Sequence, residues 1–199
     1  EIHHRVKNNL QLIISLLNLQ KPNTTPENRE VMNNIENRIN SMALIHDQLY
    51  DSSSLSRINI PEYFSQLANS INESFNPDHT LISIEVDSID VNLPIDTALP
   101  LGIIVNELVS NSIKHAFEDD EHGRIGITFR KADAASCYIL KVHDNGKGIE
   151  KTEMGSGSGH GLTLVQQLSL QIRGTLSINP PDENRPDECS AGDSAEGNM

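Results

Sequence analysis

The chain has 199 residues, a net charge of −13, no tryptophan and 36% apolar residues, which allows one medium domain or two small ones. The acidic balance argues against non-specific nucleic-acid binding, which needs a basic surface to displace counterions, and no apolar run approaches the length of a membrane span. Cys137 and Cys189 are too few and too far apart to suggest a disulfide framework or a zinc site, so a reducing cytoplasm is the simplest compartment. No signal peptide is seen, and a helical pattern is already under way at Glu1 without an initiator methionine. The sequence therefore reads as a fragment, with any sensor or membrane tether lying upstream.

In the first helix Ile2, Val6, Leu10, Ile13 and Leu17 form a stripe, widened by Leu12, Leu16 and Leu19 into an arc too broad for one flat surface. His4 falls opposite that stripe with Lys7, Asn8, Gln11 and Ser15, whereas His3 falls at its edge. The run Pro22-Asn23-Thr24-Thr25-Pro26 breaks the pattern, with Thr25 placed as an N-cap and Pro26 as the first helical residue. Val31, Ile35, Ile39, Met42, Ile45 and Leu49 then keep helical period to about Tyr50, so residues 1–51 are expected to form a helical hairpin. Two such helices cannot bury their arcs alone. Hairpins from two chains would close a four-helix bundle, which makes a homodimer the expectation; packing of the hairpin on its own C-terminal part is the alternative.

Asp51-Ser52-Ser53-Ser54 loosens the chain and marks a boundary. Residues 60–75 read as a helix opening at Pro61, Leu81–Val86 as an alternating strand, and Val91–Pro94 as the approach to a second long helix, Pro100–Phe117. That helix has two unlike faces. Asn106, Glu107, Ser110, Asn111 and Lys114 share one side and Val105, Leu108, Val109 and Ile113 the other, so one face packs and the other is free to bind. Arg124–Lys131 and Ser136–His143 alternate as two strands of a hairpin. The second runs into Asp144-Asn145-Gly146-Lys147-Gly148, whose glycines permit positive φ and close backbone approach. The loop Gly155–His160 leads directly into a helix at 162–171, a place where free N–H groups bind phosphate. Gly174–Ile178 reads as a last strand. Strands mixed with three helices imply a two-layer α/β sandwich.

The order Asn-Glu-Leu-Val-Ser-Asn-Ser-Ile-Lys-His-Ala-Phe, then Asp-Asn-Gly-Lys-Gly, then Gly-His-Gly-Leu-Thr-Leu-Val resembles the ATP-binding boxes of sensor histidine kinases. Residues 1–20, with His-Arg-Val-Lys-Asn from His4 to Asn8, resemble the phosphoacceptor box of the HWE-related subgroup. Together with Arg38–Tyr50, the resemblance covers roughly residues 1–179. It implies an α+β chain: a dimerisation and phosphotransfer hairpin at 1–56, forming a dimeric four-helix bundle, and a Bergerat ATP-binding domain at 57–179. A polar, acidic tail at 180–199 is expected to be disordered.

The resemblance also implies roles. ATP with Mg²⁺ would phosphorylate His4, and the phosphoryl group would pass to an aspartate on a response-regulator receiver domain. Asn111 matches the Mg²⁺ ligand, whose amide oxygen suits a hard cation that keeps its waters. Asn106 and Lys114 stand near the phosphates with His115 beside them, and Glu107 orients water or metal. Asp144 matches the carboxylate that accepts the adenine amino group, flanked by Gly146 and Gly148. Gly157, Gly159 and Gly161 bring backbone to the phosphates, His160 closes over them, and Leu162 completes the box. The subgroup places Arg5 where many histidine kinases have an acid, so Glu1, one turn back, is the candidate for orienting the His4 ring. Asn8 is a candidate for holding a hydrolytic water.

Two departures matter. After Asn179 the sequence lacks the family's closing apolar strand, and the lid between Ile149 and Gly159 is short. They leave open a second class of function, a nucleotide-binding dimer that serves as an interaction module. A serine kinase on the same fold would not need the His-Arg-Val-Lys-Asn helix.

Overall fold

The computed structural model describes residues 2–51, 57–75, 82–118, 122–132, 137–148 and 160–178. Helix α1 (Ile2–Gln20) and helix α2 (Pro26–Asp51) form the expected hairpin around a 3-10 turn at Lys21–Asn23. Thr25 caps α2 as the sequence indicates: its hydroxyl accepts from the amide of Asn28 at 3.4 Å, and Pro26 is the first helical residue. Asn18 donates to Glu36 at 3.0 Å, and Lys21 also pairs with Glu36, which fixes the register of the hairpin near its turn.

A short strand β1 (Arg57–Asn59) leads into α3 (Ile60–Phe75), where Asn59 Oδ1 accepts the amide of Glu62 at 2.9 Å as an N-cap. Strand β2 (Ile82–Ser88) alternates as read, with Ser83, Glu85 and Asp87 exposed. Strand β3 (Asn92–Pro94) pairs antiparallel with β1. Helix α4 (Ile95–His115) begins five residues before the expected start, so Pro100 lies inside it. The helix survives because Pro100 is still within its first two turns, where one lost N–H costs a single bond near a frayed end.

Strands β4 (Gly123–Lys131) and β5 (Tyr138–Asp144) are the expected antiparallel hairpin, and β2 joins β4 in parallel, giving the order β2-β4-β5. Ile125, Ile127 and Phe129 of β4 are fully buried, and Phe129 meets Phe64 of α3 edge-on at 5.8 Å. Val105 and Val109, on the face of α4 expected to pack, complete this core. Helix α5 (His160–Gln171) lies against α4. Residues 174–178, expected as a last strand, are irregular instead, with Leu176 and Ile178 exposed. Arg173 at φ 58° turns the chain sharply, and Gly174 donates back to the carbonyl of Ser169 at 2.7 Å. The turn ends α5, and no pairing along a sheet edge follows it within the described residues. The tail at 180–199 and the lid at 149–159 lie outside the described residues.

Of the two fates expected for the hairpin, packing on its own chain is seen for one of its helices. Helix α2 packs on its own chain: Ile45 is 1% exposed within the same core as Ile58, Tyr63 and Val105. The buried hydroxyl of Tyr63 donates to the carbonyl of Ser41 at 3.2 Å. Helix α1 leaves Leu12, Ile13, Leu16 and Leu19 exposed, and α2 leaves Val31 and Ile35 exposed.

Candidate functional site

The polar face of α4 carries the site. Its opposite face is held by the core, so Glu107, Asn111 and Lys114, spaced by three and four residues, must point together toward α2 and α5. Helix α5 begins at that face. A Cβ added to Gly161 would stand 2.8 Å from Glu107 Oε2 and 3.6 and 3.9 Å from the Asn111 side-chain amide. Gly161 therefore permits the N-terminus of α5, with its unpaired N–H groups, to stand against a carboxylate and an amide oxygen. Free N–H groups at a helix start suit a phosphate, and the Asn111 amide with the Glu107 carboxylate is an oxygen donor set that suits Mg²⁺. Leu162 follows, half-buried.

The second half of the candidate site is Asp144, the last residue of β5. Both of its oxygens are engaged: Ser112 Oγ donates to Oδ2 at 2.7 Å, and the amide of Gly146 donates to Oδ1 at 3.1 Å. The loop is pressed against the end of α4. The amide of Lys147 donates to the carbonyl of Ala116 at 2.9 Å, and a Cβ on Gly146 would lie 2.2 Å from that carbonyl oxygen. Gly146 is thus required for close approach, whereas Gly148 is required for its φ of 75°, with nothing among the described residues within 4 Å of a Cβ there. Asp144 is acceptor-only when ionised, and its two donors fix it in that role.

Other residues of the set are placed less simply. Asn106 is buried, 2% exposed, and its Oδ1 has no partner among the described residues. Lys114 donates to Glu30 at 3.0 Å and to Asn34 at 2.7 Å, both on α2, and lies over the ring of Phe75. His115 is exposed at the end of α4. His160 is the first residue of α5. Glu1, Gly157 and Gly159 lie outside the described residues. His4 sits in the first turn of α1 and Asn8 is exposed one turn later. Asn18 is level with Glu36, and His4 precedes it by about fourteen residues, or roughly 20 Å of helix. The structure therefore does not bring His4 to the face that holds Glu107 and Asn111.

Two site partners were not legible in the sequence. Arg38 of α2 makes a forked pair with Glu107, Nε to Oε1 at 2.7 Å and Nη2 to Oε2 at 2.9 Å. These bonds raise the Arg38 pKa further above its usual value. Ser112 is the second, through Asp144. Each pairing spans tens of residues and leaves no local signal.

The comparisons agree with this geometry. Residues 96–196 match the family described as histidine kinase-, DNA gyrase B- and HSP90-like ATPases, and residues 1–75 match a histidine kinase family. The chain belongs to the first of these families and is built as the core of an HWE-related sensor histidine kinase. It is 33% identical over 190 residues to the sensor histidine kinase PdtaS of Mycobacterium tuberculosis, covering 94% of this chain and 37% of that protein. It is 24% identical over 183 residues to the blue-light-activated histidine kinase 2 of Erythrobacter litoralis, covering 89% of this chain and 52% of that protein. The histidine kinase domain of the E. litoralis EL346 blue-light activated kinase superposes with a TM-score of 0.61 at 24% identity, covering 85% of this chain and 80% of that domain, a likeness of fold. The chain thus spans about a third to a half of the length of these curated relatives.

Proposed function

We propose that this chain binds ATP across the polar face of α4 and phosphorylates His4, from which the phosphoryl group passes to a receiver-domain aspartate. The observation that carries the reading is the meeting of Glu107 and Asn111 with the start of α5 at Gly161, with Asp144 bonded to the same helix at Ser112. Asp144 accepts the adenine amino group, and the first turn of α5 takes phosphate oxygens. Asn111 would hold Mg²⁺, which supplies charge neutralisation on the phosphates when bound. Phosphoryl transfer asks a protein mainly for positioning and charge stabilisation. A neutral imidazole nitrogen of His4 would form the N–P bond as the bond from phosphorus to the ADP oxygen breaks, ADP keeping the electron pair.

The distance of His4 from the α4 face requires either movement of the hairpin or donation from a second copy. The exposed Leu12, Leu16 and Leu19 of α1 support a homodimer closed through that helix. No helix among the described residues is long and apolar enough to cross a membrane. The proposal places this part of the protein in the cytoplasm, with receiver domains as its partners.

Binding of a fluorescent ATP analogue with Mg²⁺ tests the reading at its root. Wild-type protein should bind, and Asn111→Ala should lose the Mg²⁺-dependent part of the affinity. Equal affinity with and without Mg²⁺ in both proteins would count against Asn111.

A further inference from the structure

We infer that Arg38, on the hairpin, is a positioning residue for phosphoryl transfer, fixing the Glu107 carboxylate on the phosphate face of α4. The inference rests on the function proposed above and assigns a residue of the hairpin to the working parts of the ATP domain.

The fork between guanidinium and carboxylate uses both oxygens of Glu107 and so sets the rotation of the carboxylate as well as its place. The Glu107 side chain is 6% exposed, so water cannot substitute for a missing partner. On its far side, Oε2 looks onto Gly161, where even a methyl group would be only 2.8 Å away. The carboxylate is therefore held between a guanidinium and the first turn of α5, where the transferring phosphoryl group is expected.

Arg38 is itself held in place. The carbonyl of Ser41, three residues on, takes the buried Tyr63 hydroxyl, and Ile45, two turns on, is sealed in the core of the ATP domain. Helix α2 thus delivers the guanidinium to α4 from an anchored stretch. No other cation is placed to do the same work among the described residues. Lys114 is two turns further along α4 and is taken by Glu30 and Asn34. Helix α5 carries no charged residue besides His160, and α3 packs through apolar side chains such as Phe64 and Leu67.

Single-turnover labelling from γ-labelled ATP, at saturating ATP, with nucleotide affinity measured in parallel, tests the assignment. Arg38→Ala should lower the labelling rate by roughly 100-fold, the scale of a misplaced catalytic group, while ATP affinity stays at the wild-type value. Arg38→Lys should recover part of the rate, and free guanidinium added to Arg38→Ala should recover part of it too. An unchanged or raised rate in Arg38→Ala would overturn the inference, and a raised rate would mean that the pair restrains the site. A rate that falls in step with ATP affinity, with no rescue by lysine or guanidinium, would also overturn it and leave only a structural role. Failure of the wild-type chain to label at all would sink the kinase reading itself, and this inference with it.

Discussion

Ser112 Oγ stands 2.7 Å from Asp144 Oδ2, tying the end of β5 to the helix that carries the phosphate face. The pair joins the two halves of the proposed nucleotide site, one read from a glycine-bearing loop and the other from an amphipathic helix. With the Gly146 amide on its second oxygen, the Asp144 carboxylate is fixed as an acceptor. Asp144→Asn should weaken ATP binding by roughly 10- to 100-fold, the worth of a hydrogen bond to a charged group, with the far-ultraviolet circular dichroism unchanged. Ser112→Ala should have a smaller effect in the same titration. Wild-type affinity in Asp144→Asn would remove Asp144 from the site.

Gly102 and Tyr63 fit too closely for any other residue at 102. A Cβ there would lie 1.7 Å from the Tyr63 hydroxyl oxygen, and the ring is fully buried and bonded to Ser41. Tyr63 cannot turn aside without breaking that bond. Gly102→Ala should therefore destabilise the chain by about 1–3 kcal/mol in urea unfolding, despite the higher helix propensity of alanine. Tyr63→Phe, which removes only the second of the two hydrogen bonds to the Ser41 carbonyl, should cost about 1 kcal/mol.

Arg173 closes α5 at φ 58°, a conformation that glycine adopts at far lower cost. Arg173→Gly should raise stability by about 1 kcal/mol in the same unfolding measurement. A loss of stability would show that the arginine side chain makes up for its backbone strain.

Glu30 gives a pH-dependent term. Its hydrogen bond and charge interaction with Lys114 lower its pKa below the ordinary carboxylate value. The stabilisation is therefore complete above the unfolded-state pKa, near 4.5, and is lost as pH falls through the lower folded-state value. Wild type should be slightly more stable than Glu30→Gln at neutral pH, and the difference should vanish on acidification. Its size is small, since the Glu30 side chain is largely exposed. Thermal unfolding of the two proteins between neutral pH and pH 3 checks the sign.

Much of this was legible because it is periodic. The alternation in β2 and β4 and the Thr25-Pro26 start of α2 are local patterns, and the structure follows them; the face of α4 expected to be free is instead buried at Asn106, Glu107 and Ser110, with Arg38 of α2 over Glu107. Gly174–Ile178 has the same alternation and forms no strand, because a strand also needs a partner edge, and none pairs with it among the described residues. Helix α4 starts five residues before Pro100 because Pro94 precedes the helix and Pro100 is tolerated inside it. Arg38 and Ser112 were missed for another reason. What each does depends on a residue 69 or 32 positions away, and only the packing of α2 and β5 on α4 brings the partners together.

The most direct test of the central claim is incubation of this chain with γ-labelled ATP and Mg²⁺, wild type beside His4→Ala, scoring label that is lost in acid and kept in base. The account predicts such label in the wild type and none in His4→Ala. Bound ATP with no label on the wild type, or equal label on both proteins, would contradict it; the first result would leave a nucleotide-dependent interaction module, and the second a different acceptor.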